Sequence, residues 1–186
     1  MVSHVSNKVI GFSGISLGYA EAGVQSDRIY NNTIIGGNTT GSAIFIPTNG
    51  GGKETDTVII KNNIIVQDSG SRSYMSFCGM STYTYKDIDY NNYWSHNPSD
   101  YAYMVDSTSH GITWTAWKAK GFDAHSDTGR VTFQNIWGTN ATDYRLSSGS
   151  AGIDDGTDLS AYFTTDILGT VRPRNAIWDK GAFEFY

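Results

Sequence analysis

Two aspartates and a histidine are the side chains in this sequence whose types and spacing could support acid–base chemistry. Asp87 and Asp89 lie two positions apart in a strand-like segment, so both carboxyl groups would share one face, as hydrolysis of a glycosidic bond requires. His125 lies in Asp123-Ala124-His125-Ser126, with an acid and a hydroxyl nearby, and an imidazole there could act as a general base. Nearness in sequence does not establish catalytic geometry, and a structural role is the more common one for both.

Other charged side chains around these positions could bind a ligand. Lys61 and Arg72 are the two that we expect to contact a substrate, and a solvated surface role is the alternative. Asp154, Asp155 and Asp158 could supply oxygen ligands to Ca²⁺, the one cofactor that the sequence suggests. Their spacing is not that of a calcium-binding loop, so turn formation is the more common explanation and no firm metal site is predicted.

Aromatic side chains are concentrated between residues 83 and 103. Exposed rings there could stack on sugar rings, or the same rings could cover the apolar end of the fold. The candidates for carbohydrate binding are Tyr83, Tyr85, Trp94, Tyr101 and Tyr103.

The composition limits the class of protein. The 186 residues fit one domain, and 21 glycines, 3 prolines and many aromatic residues are typical of short strands joined by tight turns. The formal net charge is −5 and the Lys and Arg residues are scattered, so no basic stripe could bind nucleic acid. The single cysteine, Cys78, excludes an internal disulfide. No apolar run approaches the ~20 residues that a membrane span requires.

Strand-like segments recur around pairs of asparagines. In residues 29–35, 60–66 and 88–94 an apolar strand meets an Asn pair and then a second apolar strand, with a fainter copy at 5–10. The second Asn of each pair, or its equivalent, falls at Asn7, Asn32, Asn63 and Asn92, at intervals of 25, 31 and 29 residues. Such intervals fit one turn of a solenoid with three short strands. Because Asn tolerates the left-handed backbone region and can bond to an amide one turn away, we predict a ladder of these four side chains.

A third strand in each repeat defines the faces of the predicted coil. Alignment of residues 14–20, 42–48 and 74–80 places two columns on one face, which we assign to the interior. The inward columns are Ile15, Ala43 and Met75, and then Leu17, Phe45 and Phe77. The outward columns are Ser16, Ile44 and Ser76, and then Gly18, Ile46 and Cys78. Neither outward column is charged, which argues against catalysis on that face.

The second half of the chain has a different pattern. Residues 112–122 predict one short helix, with Thr113 capping its start and Gly121 ending it. Strand-like stretches at 131–133, 144–146 and 182–186 alternate with turns. We therefore expect one domain over residues 1–186, with repeating rungs in 1–97 and a region in 98–186 that caps the end of the stack.

A series of turn-rich motifs continues from the Asn-pair repeats to the C-terminus. They are Phe122-Asp123-Ala124-His125-Ser126, Asp143-Tyr144-Arg145-Leu146, residues 149–156, Asp166-Ile167-Leu168-Gly169, Arg172-Pro173 and residues 178–186. With the repeats, these motifs resemble the closing part of bacterial right-handed parallel β-helix proteins of the pectate-lyase-like superfamily. The resemblance covers nearly the whole chain. It implies an all-β fold, a right-handed parallel β-helix solenoid of about three to four rungs with an irregular C-terminal cap containing one short helix.

The resemblance also implies a role with polysaccharides outside the cell or at its surface. Lyases of the superfamily take a proton α to a uronate carboxylate, with Ca²⁺ or Arg neutralising that carboxylate, and its hydrolases use paired carboxylates. Three functions stay open for this chain. They are a polysaccharide lyase or glycoside hydrolase or a fragment of one, a non-catalytic carbohydrate-binding module, and a structural or adhesive β-helix.

The chain begins inside the repeat pattern, so we expect further rungs before it in a longer protein. The first rung would present an open strand edge, and we expect another copy of the chain to cover it as a homo-oligomer. A monomer in concentrated solution would contradict this expectation.

Overall fold

The structure is a computed structural model that describes residues 2–6, 9–11, 14–16, 26–36, 42–46, 57–67, 73–77, 85–95, 102–104 and 111–186. Its described strands form four repeats of three strands each. In chain order they are β1 (Val2–Ser6), β2 (Val9–Gly11), β3 (Ile15–Ser16), β4 (Ser26–Tyr30), β5 (Thr33–Gly36), β6 (Ile44–Ile46), β7 (Thr57–Lys61), β8 (Ile64–Gln67), β9 (Ser73–Phe77), β10 (Tyr85–Asp89), β11 (Asn92–Ser95) and β12 (Ala102–Met104). A short strand β13 (Gly111–Ile112) follows.

Each repeat contributes one strand to each of three sheets. The first sheet has the order β1-β4-β7-β10, the second β2-β5-β8-β11 and the third β3-β6-β9-β12-β13. All strand pairs are parallel except β12 with β13. The prediction of an all-β chain is confirmed, since the described part consists mainly of parallel sheets and has little helix. The third sheet continues through β12, past residue 97.

The inward faces of the three sheets meet in one apolar cluster. In β7, Val58 and Ile60 are buried whereas Ile59 and Lys61 are partly exposed, as the two-residue period of a strand requires. The cluster includes Ile29, Val58, Ile60 and Ile88 from the first sheet, Ile34, Ile65 and Tyr93 from the second, and Ile15, Ile44 and Met75 from the third. Strand β8 is buried on both faces, because the C-terminal segment packs on its outer side.

The predicted inward column of the third sheet is wrong by one residue in its middle strand. Ile44 is fully buried and aligns with Ile15 and Met75, whereas Ala43 is buried as predicted but lies one position before this column. Phe45 aligns with Ser16 and Ser76 instead, and is 37% exposed. A one-residue change of register exchanges the two faces of a strand, which places the branched Ile44 side chain in the core. The predicted positions Leu17, Gly18 and Cys78 lie outside the described residues.

The asparagine ladder is present, but its last member differs from the predicted one. The Asn32 amide donates to Asn63 Oδ1 at 3.0 Å, and the Asn63 amide donates to Asn91 Oδ1 at 3.0 Å. The predicted member Asn92 is one residue too late, because it pairs with Ile64 in the second sheet. Tyr90 takes the left-handed position that Asn31 and Asn62 take in the preceding repeats, so the Asn pair 91–92 is shifted by one residue. Asn7 lies outside the described residues.

A short helix closes the end of the core beyond the fourth repeat. Helix α1 (Trp114–Ala119) is shorter than predicted, but Thr113 caps its start by accepting a hydrogen bond from the N–H of Ala116. Gly121 follows the C-cap with a φ of 90°, a conformation that glycine adopts without strain. Trp117 on this helix is fully buried in the core cluster.

Much of the C-terminal segment packs on the outer sides of the sheets. Val131 and Leu146 pack on the outer side of β8 against Ile64 and Val66. The three predicted strands in this region are absent from the described structure, where 131–133 and 144–146 share one isolated bridge and residues 182–186 form none. A 3-10 helix covers Ala141–Tyr144. Some backbone N–H groups here donate to side chains, as that of Ala182 donates to the hydroxyl of Thr33.

A buried carboxylate connects α1 to the end of the ladder. Asp123 is fully buried, and its oxygens accept hydrogen bonds from Asn91 Nδ2, Tyr93 Oη, Trp117 Nε1 and Ser126 Oγ. Burial raises the pKa of Asp123 to about 6, although the four hydrogen bonds act in the opposite direction. The folded protein therefore takes up a proton here at a higher pH than the unfolded chain does.

Comparison with an Asp123→Asn variant isolates the effect of this group on stability. Because the pKa of Asp123 is raised in the folded state, the protonated carboxyl group stabilises the folded protein. This contribution to the free energy of unfolding is fully present below about pH 4 and is lost as the pH rises through about 6. Relative to the variant, the unfolding free energy of the unmodified protein should fall by about 2 kcal/mol from pH 4 to pH 7, since each pKa unit is worth about 1.4 kcal/mol and a small part of the effect is already lost at pH 4. Urea unfolding at both pH values measures this change. The exposed Asp154→Asn variant is the control, and a pH-independent difference for Asp123→Asn would contradict the prediction.

Candidate functional site

The outward face of the first sheet carries charged and aromatic side chains from three neighbouring strands. Along this face Arg28, Ile59 and Asp87 occupy one row of paired positions, and Tyr30, Lys61 and Asp89 occupy the next. Their neighbours Ile29, Ile60 and Ile88 point into the core and are buried. The alternation of β4, β7 and β10 therefore fixes these polar groups on a common surface.

Lys61 and Asp87 form an ion pair across two strands of this surface. The Nζ of Lys61 lies 2.7 Å from Oδ2 of Asp87, and the two side chains are 21% and 27% exposed. Both groups are thus held by the sheet and remain partly exposed. An ammonium beside a carboxylate in this setting can interact with either the anionic or the hydroxyl groups of a bound molecule.

Asp89 and His125 form a second pair, which orients an imidazole. The Oδ2 of Asp89 lies 2.7 Å from Nδ1 of His125, and Oδ1 accepts the backbone N–H groups of His125 at 2.7 Å and Tyr90 at 2.9 Å. The imidazole stacks on the ring of Tyr90, with centroids 4.7 Å apart and 11° between the planes. With Nδ1 donating to Asp89, the neutral ring presents Nε2 as an acceptor. The side chain is 62% exposed, and Nε2 has no hydrogen-bond partner among the described residues.

A cationic and aromatic margin lies beside these pairs. Tyr162, from the C-terminal segment, packs against Tyr30 with ring centroids 5.0 Å apart and remains 47% exposed. The guanidinium of Arg28 lies 5.6 Å from the centre of the Tyr162 ring, close enough for a cation–π interaction. Tyr30 itself is fully buried, and burial together with its hydrogen bond to Tyr162 raises the pKa of Tyr30 above its ordinary value. Tyr30 is therefore a neutral support for the exposed ring of Tyr162.

The sequence-predicted reactive residues are partly brought together here. Lys61, Asp87, Asp89 and His125 lie on this one surface, and Asp87 and Asp89 share a face as predicted. Arg72 lies outside the described residues.

The predicted carbohydrate-binding aromatics do not form a described cluster. Trp94 packs partly buried against the outer cluster of Val131 and Phe133, so it is covered by the C-terminal segment. Tyr85 lies in β10 and Tyr103 in β12, and their side chains are not described. Tyr83 and Tyr101 lie outside the described residues.

The three aspartates considered for Ca²⁺ each have other partners. Asp155 binds the ammonium of Lys180 at 2.6 Å, and Asp158 accepts the backbone N–H of Ser160 at 2.7 Å. The carboxylate of Asp154 accepts hydrogen bonds from the Asn175 amide at 3.3 Å. Within the described ranges, no group of three or more His, Cys, Asp and Glu side chains is arranged to hold a metal ion.

Two members of the surface, Arg28 and Tyr162, had no recognisable signal in the sequence. Tyr162 reaches the sheet only because the C-terminal segment folds back along its outer face, a contact between distant parts of the chain. Alternation in β4 places Arg28 on the outer face, but nothing in the sequence indicates that its side chain meets Tyr162.

Comparison of the chain with models of known protein families, with curated proteins and with solved structures gives no match. In the part of the chain that the structure describes, no helix has the length and apolar character needed to cross a membrane.

Proposed function

We propose that the chain is a right-handed parallel β-helix whose outward first-sheet surface binds and cleaves a polysaccharide, with His125 as the general base. The solenoid is supported by the strand order, in which three successive strands enter three different sheets and the fourth returns to the first. The observation that carries the proposed activity is the Asp89–His125 pair, because it leaves an oriented imidazole nitrogen open on an accessible surface.

The other groups on this surface have roles that follow from their positions. Asp89 holds the imidazole in one orientation through Nδ1, as a carboxylate partner of a general base does. Lys61, which is paired with Asp89 in the sheet, and Arg28, on the strand beyond it, supply positive charge on this surface, where a carboxylate on the substrate would need to be offset. The exposed ring of Tyr162 offers a flat apolar face for a sugar ring.

These contacts favour proton abstraction, as in a polysaccharide lyase, over glycoside hydrolysis. Hydrolysis needs two carboxyl groups that are available to the glycosidic bond. Here Asp87 is bound to Lys61, and Asp89 accepts three hydrogen bonds from His125 and Tyr90. The Nε2 of His125 is the open group among the described side chains of the two pairs.

The proposal predicts that His125→Ala lowers turnover by about 100-fold or more, the usual contribution of a general base. The measurement is a panel of acidic and neutral polysaccharides, followed by ultraviolet absorbance of unsaturated ends and by a reducing-end assay. The control is Asp158→Asn, which removes an exposed carboxylate elsewhere in the chain and should leave the rate unchanged. Undiminished turnover by His125→Ala would refute the role of His125. New reducing ends without unsaturation would indicate hydrolysis instead.

A non-catalytic carbohydrate-binding module is the second candidate, favoured by the exposed Tyr162 ring beside Arg28. Affinity electrophoresis on the same polysaccharides distinguishes it, because retardation without any product supports binding alone. A chain that neither turns over nor binds any member of the panel would instead be a structural or adhesive β-helix.

As part of the same proposal, the protein acts outside the cell or at its surface and associates with further copies through β1, β2 and β3, the edge strands of the three sheets.

A further inference from the structure

The third residue in the left-handed position of the repeats is a tyrosine where the two before it are asparagines. Asn31, Asn62 and Tyr90 have φ angles of 48°, 56° and 58°. Asparagine adopts this region at modest cost, whereas a bulky side chain there is uncommon and strained. A strained residue that is retained requires a compensating contact, and such contacts are often functional.

The contacts of Asn31 and Asn62 also differ from those of Tyr90. The Asn31 amide donates to the carbonyl oxygens of Asp179 and Gly181, and the Asn62 amide donates to that of Thr157, so both fasten the C-terminal segment. Tyr90 has no such contact among the described residues. Its ring stacks nearly parallel to the imidazole of His125, and its backbone N–H donates to Asp89 Oδ1.

Both contacts of Tyr90 act on the Asp89–His125 pair. The Oδ1 of Asp89 is held by the N–H groups of Tyr90 and His125, which leaves Oδ2 directed at Nδ1 of His125. The Tyr90 ring then covers one face of the imidazole and restricts its rotation about the side-chain bonds. Neither contact touches Nε2, which stays open to a ligand.

We infer that Tyr90 is a positioning residue for His125, held in a strained backbone conformation because its ring fixes the imidazole with Nε2 outward. The inference rests on the proposed role of His125 as the base, and it adds a residue that would not itself touch the substrate. It also explains why the Asn pattern of the preceding repeats is interrupted here.

Tyr90→Asn and Tyr90→Phe separate the ring from the backbone strain. Tyr90→Asn restores the residue type of the two earlier repeats, so we expect a higher midpoint of thermal unfolding together with a roughly 10- to 100-fold lower kcat, since a misplaced catalytic group costs up to that much. Tyr90→Phe keeps the stacked ring and should retain the kcat of the unmodified protein. Nitrogen-15 NMR of the His125 ring is the second readout. We expect one tautomer, with Nδ1 protonated, in the unmodified protein and Tyr90→Phe, and a mixture in Tyr90→Asn.

A lower unfolding midpoint for Tyr90→Asn would overturn the inference, because Tyr90 would then be retained for stability. An unchanged His125 spectrum in Tyr90→Asn would overturn it as well. Failure of the proposed function has a different signature. In that case His125→Ala leaves turnover unchanged or no substrate is found, while the spectrum and the stability of Tyr90→Asn still report whether Tyr90 positions the ring.

Discussion

Replacing Asn63 by alanine should lower the free energy of unfolding by on the order of 4 kcal/mol, because several buried groups lose their hydrogen-bond partner at once. Asn63 is fully buried in the middle of the ladder. Its amide donates to the carbonyl oxygens of Ile29 and Lys61 and to Asn91 Oδ1, and its Oδ1 accepts both the N–H and the amide of Asn32. Alanine replaces none of these bonds, and each buried group left without a partner costs about 1–3 kcal/mol.

Urea unfolding followed by circular dichroism measures this loss. The matched control is Asn175→Ala, which removes the same amide from an exposed position where it donates to the carboxylate of Asp154 at 3.3 Å. That change should stay within about 0.5 kcal/mol. Similar losses for the two variants would show that the Asn63 side chain does not hold successive repeats together.

The sequence predicted the repeats because Asn at a left-handed corner has a local physical reason. Asn31 and Asn62 occupy that corner, and the ladder is formed by the residues directly after them, Asn32 and Asn63. The error at Asn92 arose where Tyr90 replaced Asn in the left-handed position, since a pattern of residue types does not reveal which backbone position a tyrosine will take. The exchange of Ile44 and Phe45 has a related cause, because both are apolar and only the paired register decides which one is buried.

The candidate site could be predicted as far as local periodicity extends. The shared face of Asp87 and Asp89 follows from the period of a strand. The pairing of Asp89 with His125, 36 positions later, depends on how the segment after α1 returns to the sheet. The contact of Arg28 with Tyr162 depends on an even longer return of the chain. Contacts of this kind depend on the packing of the whole fold, so they cannot be predicted from the spacing of residues in the sequence.

Lys180 should also contribute to stability, because it is a buried cation between two partly exposed carboxylates. Its side chain is 0% exposed, and Nζ lies 2.8 Å from Asp127 Oδ2 and 2.6 Å from Asp155 Oδ2. Asp127 also continues the second sheet, where its backbone bonds to that of Asn91 and Tyr93. The ammonium thus ties the C-terminal segment to the end of the parallel sheets.

Lys180→Met keeps most of the side-chain length but removes the charge, so two neighbouring carboxylates lose their shared cation. We expect a loss of about 1–3 kcal/mol in the free energy of unfolding at pH 7, less than the roughly 3–5 kcal/mol for breaking a fully buried ion pair, because the two carboxylates left behind are 34% and 51% exposed. The control is Lys120→Met, at an exposed position after α1. A double variant Lys180→Met/Asp127→Asn should recover part of the loss, since it removes one of the two unpaired charges.

The loss caused by Lys180→Met should also depend on pH in a definite direction. Burial acts to raise the pKa of Asp127, but the hydrogen bond and charge of Lys180 outweigh it and hold that pKa below its ordinary value. A lowered pKa in the folded state stabilises the protein above about pH 4 and loses this effect as the pH falls through the folded-state value. The difference between the unmodified protein and Lys180→Met should therefore be largest near neutral pH and shrink in acid. Guanidinium unfolding of both at pH 7 and pH 3 measures it, and a difference that stays constant would mean that Lys180 acts through packing of its alkyl chain rather than through its charge.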